Sequence, residues 1–360
     1  MSVLQERRTV VEPNIGIVTL GRRVASHYLV RRLLKALLTI FLVASFTFFL
    51  VRLIPGGPIE VYIQNLVTQY SIPYAEAQQQ AASLFSINLD EPVYRQYLTY
   101  MGNLLQGDFG SSLITRGTPV SQIILKFLPW TLFSVGVGLI LSFTLGILLG
   151  MLMAYRRNSL LDHVLTTIAS ITQSIPNFLL PIILLVYLGV QWELVNITQM
   201  RGYLSPGVKP GLSFAFIKDA FYHASLPILT YVLTAIGGWM LTMRSSTEST
   251  LGEDYVTVAR ARGLRGSRIA TAYVGRNASL PLFTQLTISL AFVVGGSALI
   301  EVLFVYHGLG YELANAIQQR DYPVMQAVFL VITAMVVVGN LLADLVYARL
   351  DPRIRLTGRG

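Results

Sequence analysis

Six uncharged or nearly uncharged runs decide what this chain can fold into: residues 33–51, 128–155, 164–190, 224–243, 277–300 and 322–343. Each approaches or exceeds the ~20 apolar residues needed to cross the hydrocarbon of a bilayer as a helix. Inside lipid every backbone N–H and C=O must find a partner within the protein, so a span is a helix or part of a closed barrel. These runs are too long for barrel strands. The fold class read from the sequence is therefore all-α integral membrane, with six transmembrane helices. Lys35 interrupts the first run near its start, and Pro176 and Pro181 lie inside the third.

Only 12% of the residues are charged, about half the share of a soluble domain. A net charge of +9 raises nucleic acid as a partner, but the basic residues fall between the apolar runs rather than on one soluble face, which excludes it. They set orientation instead. Nineteen Lys and Arg fall in the N-terminus, the second and fourth loops and the C-terminus, against eight on the other side. The richer side is expected to be cytoplasmic, with both termini inside. The first run is longer than the 7–15-residue core of a signal peptide and lacks a small-x-small site after it, so it reads as a retained helix. The expected organisation is a cytoplasmic tail (1–28), a first helix with a long extracytoplasmic segment (29–127), a five-helix core (128–350) holding a polar loop at 244–281, and a cytoplasmic tail (351–360).

Several chemistries are excluded. Without cysteine there is no disulfide, thiolate site or cysteine nucleophile. None of the four lysines follows a glycine, so no GxxxxGK[ST] phosphate loop exists and the chain is no P-loop ATPase. The four histidines form no HExxH or other close ligand pair; no metal site and no catalytic residue is assigned. Glu301 and Asp344 sit at span ends and the span centres are uncharged, unlike carriers that place ionisable groups near the midplane. A pump of this kind draws its energy from another chain.

Three polar features remain. In the long outer loop, residues 93–106 place Val93, Tyr94, Tyr97, Leu98, Met101, Leu104 and Leu105 on one helical face, either a packed cap or a docking surface. After GDFGSS, Thr118 is expected to cap a short helix with Pro119 at its first position. The loop at 191–223 is rich in Gly, Pro and aromatic residues and carries no assignable chemistry. In the third run, Ser170, Gln173, Ser174 and Asn177 recur at steps of three and four. They make one polar face, which is either interhelical hydrogen bonding or the wall of a hydrated pathway.

The loop between the fourth and fifth runs reads EDYVTVARARGLRGSRIATAYVGRNASLPL. Thr250 and Glu253 fit a capping box. Glu253 and Asp254 suit the first turn of a helix, and Arg260 and Arg262 its last. Gly263 follows as a C′ glycine. The spacing predicts a short helix over 251–262 and a second over about 267–278. A surface helix held on anionic lipid is the plain reading; the acids at its start and its modest apolar middle (Tyr255, Val258, Ala259, Ala261) favour a knob that docks into another protein.

DYVTVARARGL followed by GRNASLP resembles the EAA-type loop of ABC importer permeases, with the Gly263-to-Pro281 spacing of the dipeptide/oligopeptide/nickel group. VRRLL, RLIPGGP, YRQYLTYMGNLLQGDFGSSL, RDYPVMQAVFL and NLLADLVYARLDPRIRL match the same group, and together the resemblance covers about 29–356. It implies a type I importer permease, the B-type of two homologous permease subunits, in a bacterial or archaeal cell membrane. Two cytoplasmic ATPase subunits holding ATP and Mg, an extracytoplasmic solute-binding protein and membrane lipid would be its partners. The chain itself would bind no cofactor. Glu253, Asp254, Tyr255, Val258, Ala259, Arg260, Ala261, Arg262, Gly263 and Leu264 would form the ATPase-coupling segment. The cargo would be di- or oligopeptides or a related solute. A self-sufficient secondary transporter is the alternative, against which the uncharged span centres count. Two departures stand out: His307 replaces the group's usual proline in VYHGLG, and the N-terminal tail is longer than usual.

Overall fold

The computed structural model describes residues 28–53, 58–85, 92–115, 117–292 and 297–350. In chain order the helices are α1 (Tyr28–Leu53), α2 (Pro58–Tyr70), α3 (Tyr74–Phe85), α4 (Val93–Leu105), α5 (Val120–Tyr155), α6 (Leu160–Ser174) and α7 (Leu179–Leu184), which runs into the wider turn π1 (Leu185–Gln191). Then come α8 (Ile197–Met200), α9 (Phe214–Leu251), α10 (Asp254–Ala261), α11 (Gly266–Arg268), π2 (Ile269–Gly275), α12 (Arg276–Ala278) and α13 (Leu280–Phe292). The last three are α14 (Ala298–Phe304), α15 (Leu309–Gln319) and α16 (Tyr322–Leu350). Among the described residues the only strand-like feature is one antiparallel bridge, Ser111 to Pro119.

Among the described residues, four segments are long and apolar enough to cross a bilayer: Val30–Val51 of α1, α5, α9, and Tyr322–Leu341 of α16. The third apolar run is not one straight helix as expected. It breaks into α6 and α7–π1, which meet at 107°. Pro176 is the cause: a residue before proline is pushed out of the α region, and Ile175 takes φ −77°, ψ 122°. The fifth run passes through 293–296, outside the described residues, and its described parts are α12, α13 and α14. Of the motifs behind the resemblance, 54–57 in RLIPGGP and 351–356 also lie outside.

α5 has 36 residues and α9 has 38, about 54 and 57 Å at 1.5 Å per residue, so both outrun the bilayer. α5 therefore begins at Val120, with Pro119 rather than Thr118 at its N-cap and no side-chain cap bond; the segment expected as a separate interfacial helix is its first turns. The two helices pack together through small residues. A Cβ at Gly138 would stand 2.6 Å from the Cβ of Tyr231, one at Gly146 would overlap Trp239, and one at Gly150 would overlap the Met240 carbonyl. On the other side of α9, a Cβ at Gly237 would overlap the Ala169 carbonyl of α6. Membrane helices lack a hydrophobic drive toward one another, so close backbone approach at small residues supplies the packing energy.

Two buried carboxylates organise the end of the bundle that carries α15 and the start of α16. Glu301, fully buried, accepts from Thr131 Oγ1 at 2.7 Å, Gly310 N at 2.8 Å and Tyr311 N at 3.0 Å. It thus caps the start of α15, where the helix dipole favours an anion. Asp321 accepts from Ser112 Oγ and from Leu113 N at 3.2 Å, fastening the 111–119 loop to the start of α16. Val51, Leu113, Val120, Ile124, Leu309 and Tyr322 close an apolar plug around it. His307 stacks on Tyr311 at 4.5 Å; burial, and then the neighbouring Lys126, hold its imidazole below the usual range. α1 is held from one side, with Gln326 Nε2 donating to Thr47 O at 3.2 Å.

Candidate functional site

α9 runs without interruption into the polar loop. Thr250, expected to cap the next helix, is still inside α9 and donates its hydroxyl to Ser246 O at 2.8 Å. A helical threonine can bond its own i−4 carbonyl as readily as cap a new helix, which is why the sequence misled here. Gly252 ends α9, its N–H bonding to Ser249 O at 3.1 Å. Glu253 is the N-cap of α10 in extended conformation (ψ 143°), with no side-chain cap bond. The short helix is thus Asp254–Ala261 rather than 251–262. Its end follows the sequence closely. Gly263 has φ +68°, Gly263 N bonds to Arg260 O at 2.9 Å and Leu264 N to Ala259 O at 3.3 Å. Those are the two bonds of a Schellman stop, with Leu264 folding back beside Ala259.

The second piece spans α11, π2 and α12 as expected, but its middle is a π turn. It forms the bed on which α10 lies. Val256 and Ala259 of α10 and Ile269 and Val274 of the bed are all buried, with Leu251, Leu264 and Tyr273 around them. Ala259 therefore looks inward, and Leu264 is half-buried. Glu253, Asp254, Tyr255, Val258, Arg260, Ala261, Arg262 and Gly263 remain exposed. Tyr255 and Val258, 40% and 54% exposed, stand one turn apart. Acids lie at one end of this apolar spot and arginines at the other. Asn277, in the GRNASLP stretch, donates to the Tyr255 hydroxyl at 3.2 Å and to Tyr273 O at 2.7 Å.

Two turns before α9 ends, it is clamped to α6. Arg244 meets Asp162 through Nε to Oδ1 at 2.7 Å and Nη2 to Oδ2 at 3.0 Å. Arg244 Nη2 also lies 3.3 Å from Glu248, which is 3.9 Å from Arg157. Asp162 is 2% exposed and also accepts from Asn158 N at 3.1 Å. Sequence reasoning counted Arg244 as a loop charge and missed this pair; its partners are 82 residues apart and share no local pattern.

The polar face of the third run stands at the break itself. Ser170, Gln173, Ser174 and Asn177 are all exposed. Ala169, beside them, touches Gly237 near the middle of the apolar part of α9, so the break lies at mid-membrane depth. Backbone that leaves the helix at that depth is tolerated where it is covered by protein or lines water. One further polar cluster lies at the start of α9. Ser205 donates through N and Oγ to Asp219, both at 2.7 Å, and its Oγ is 3.1 Å from His223 Nε2. A Ser-His-Asp triad needs the carboxylate on Nδ1. Here Nδ1 faces Met200 O at 3.1 Å, and the cluster ties the 200–205 loop to α9.

Residues 146–356 match the family described as binding-protein-dependent transport system inner membrane component, and residues 25–133 match that family's N-terminal region. The chain is similar to the oligopeptide transport system permease protein AppB of Bacillus subtilis, 34% identical over 91% of this chain and 98% of that protein. It is similar to the di/tripeptide transport system permease protein DppB of Pseudomonas aeruginosa, 33% identical over 91% and 98%. It is also similar to the dipeptide transport system permease protein DppB of Escherichia coli K12, 31% identical over 91% and 98%.

Proposed function

The chain belongs to the family of binding-protein-dependent transport system inner membrane components, and we propose that it carries di- or oligopeptides inward as one half of a heteromeric channel driven by ATPases. It is a multi-pass permease of the type I ABC importer class. The names of these three relatives, for oligopeptide, di/tripeptide and dipeptide transport, support peptide as the cargo. The partners this reading requires are a second, homologous permease subunit, two cytoplasmic ATPases that hold ATP and Mg, and an extracytoplasmic solute-binding protein. The excess of Lys and Arg beside the loop supports its cytoplasmic placement.

The observation that carries the reading is the outward face of α10. A helix stopped at both ends, bedded on its inner side and joined through Gly252 to the 38-residue α9 is a rigid knob on a long lever. Tyr255 and Val258 give it an apolar centre, and the flanking charges give it register. Seated in a groove of an ATPase, it would convert movement of that subunit into tilting of α9. Val258→Asp places a carboxylate at the centre of that contact without touching the bed. It is expected to leave the membrane level of the chain unchanged and to weaken ATPase association by about tenfold or more, the scale of a hot-spot loss. Wild-type recovery of the ATPases with the tagged variant would remove α10 as the docking element.

The exposed polar face at the break would line the route. The Ser170 and Ser174 hydroxyls donate to Thr166 O at 2.8 Å and Ser170 O at 2.7 Å, but their exposed oxygens can still accept, and with the amides of Gln173 and Asn177 they suit a peptide backbone, whose N–H and C=O groups need partners after leaving water. With Ser174→Cys as the only thiol in the assembled transporter, a small charged thiosulfonate is expected to react and to block uptake. A thiol that reacts with lipid-soluble but not with charged reagents would place this face toward lipid and end the pathway reading.

A further inference from the structure

α4 is divided into three sectors. One packs on α1: the Tyr97 ring stacks on Phe49 at 5.5 Å and meets Phe48 edge-on at 5.2 Å, Tyr100 lies 5.2 Å from Phe48, and the Tyr97 hydroxyl is 2.7 Å from Ser45 Oγ. The second sector is polar and exposed, with Arg95 and Thr99 one turn apart. The third is apolar and exposed. Tyr94, Leu98 and Leu105 are 61%, 63% and 90% exposed, and with half-buried Met101 they follow the i, i+4, i+7, i+11 spacing of a single stripe.

The place of α4 along α1 decides what covers that stripe. Ser45 lies eight residues before the outer end of α1 at Leu53, a depth of about 12 Å at the helical rise. Tyr97 therefore holds α4 beside the last turns of a membrane-crossing helix, within the span Val30–Val51. On α1 itself, Phe46, Phe49 and Leu53 are exposed at that level, so the stripe of α4 continues an exposed apolar surface of a membrane-crossing helix. An extracytoplasmic protein would have to enter the outer leaflet to reach it.

We infer that α4 is an interfacial helix seated in the outer leaflet, with its Tyr94–Leu98–Met101–Leu105 stripe against acyl chains and its Arg95–Thr99 side at the headgroups and water. One side against protein, one in lipid and one in water is the arrangement an amphipathic helix takes at a bilayer surface. The long segment after α1 is thereby anchored in the membrane, and its docking surfaces for partners lie elsewhere. This inference rests on α1 crossing the bilayer with its start on the cytoplasmic side and is independent of the cargo.

The chain contains no cysteine, so nitroxide labels can be placed singly at Leu98→Cys, Leu105→Cys and Thr99→Cys in the complete transporter, with cysteine-free partners, in lipid nanodiscs. Power saturation is expected to show oxygen access several-fold above that of a water-soluble nickel chelate at 98 and 105, and the reverse at 99. A bimane at Leu105→Cys is expected to be quenched by bromine-tailed phosphatidylcholine. Nickel access at 98 and 105 equal to that at 99 would put the stripe in water. Low access to both agents at 98 and 105, rising when the solute-binding protein is omitted, would assign the stripe to that protein. Either result overturns the inference.

Discussion

Gly146→Ala is expected to destabilise the protein by about 1–3 kcal/mol, the cost of overpacking a close-fitted core, whereas Gly136→Ala ten residues earlier on the same helix is expected to stabilise it. The two differ only in what the new methyl meets. At Gly136 there is nothing within 4 Å, so alanine simply recovers the ~1 kcal/mol of helix propensity that glycine forfeits. At Gly146 the methyl would overlap the Cβ of Trp239, 3% exposed and in contact with Phe143 ring edge to face at 5.3 Å, and would stand 3.4 Å from Met240 N. Neither atom is the free end of a flexible side chain. α5 and α9 would have to separate, and the contacts at Gly138 and Gly150 would loosen with them. Thermal unfolding in detergent, with the yield of monodisperse protein as a second reading, separates the cases. Equal melting temperatures for the two variants would show that the glycines do not set the approach of α5 to α9.

The same pair of helices shows what was legible in the sequence and what was not. Apolar length found the four spans that stand as single long helices among the described residues, because a bilayer imposes that length locally. GILLG, residues 146–150, carried the close-packing signal of two small residues one turn apart, yet nothing local says which helix receives it. The Schellman stop at Gly263 was readable because a positive φ is a demand on one residue. The start of that helix was misread because Thr250 satisfies its hydroxyl equally well inside α9. Pro176 lies inside the run, but its 107° consequence depends on α9 and α14, against which α7 packs. Glu301 and Asp162 share this limit. Both look like charges at span ends, and both are buried, with partners at Thr131 and Arg244 that only the assembled bundle brings near. Of the ten residues assigned to the coupling segment, eight are exposed in this chain, while Ala259 and Leu264 turn toward the bed, a distinction the 3.6 period states only once the bed is known.

Arg244→Met is expected to cost about 3–5 kcal/mol, the penalty of leaving a buried charge without its partner. Asp162 has 2% exposure and loses both guanidinium contacts in this variant; the Asn158 N–H at 3.1 Å and the Thr166 hydroxyl at 3.5 Å that remain are neutral donors and cannot balance a full charge. Glu248 is less affected, since water reaches it and Arg157 stands near. The double variant Asp162→Leu/Arg244→Met removes both charges and is expected to regain most of the lost stability, because a buried ion pair and an apolar pair of similar volume are often close in free energy. The cycle also separates structure from transmission. The clamp joins α6, which carries the polar break, to α9 two turns before its end, so it is placed to pass a displacement of α10 to the residues at 170–177. If the double variant regains stability but not uptake, the charges couple the loop to the pathway. If it regains both, packing alone carries the motion. An Arg244→Met protein as stable as the wild type would show that Asp162 is solvated in the membrane and that no clamp exists at this end of α9.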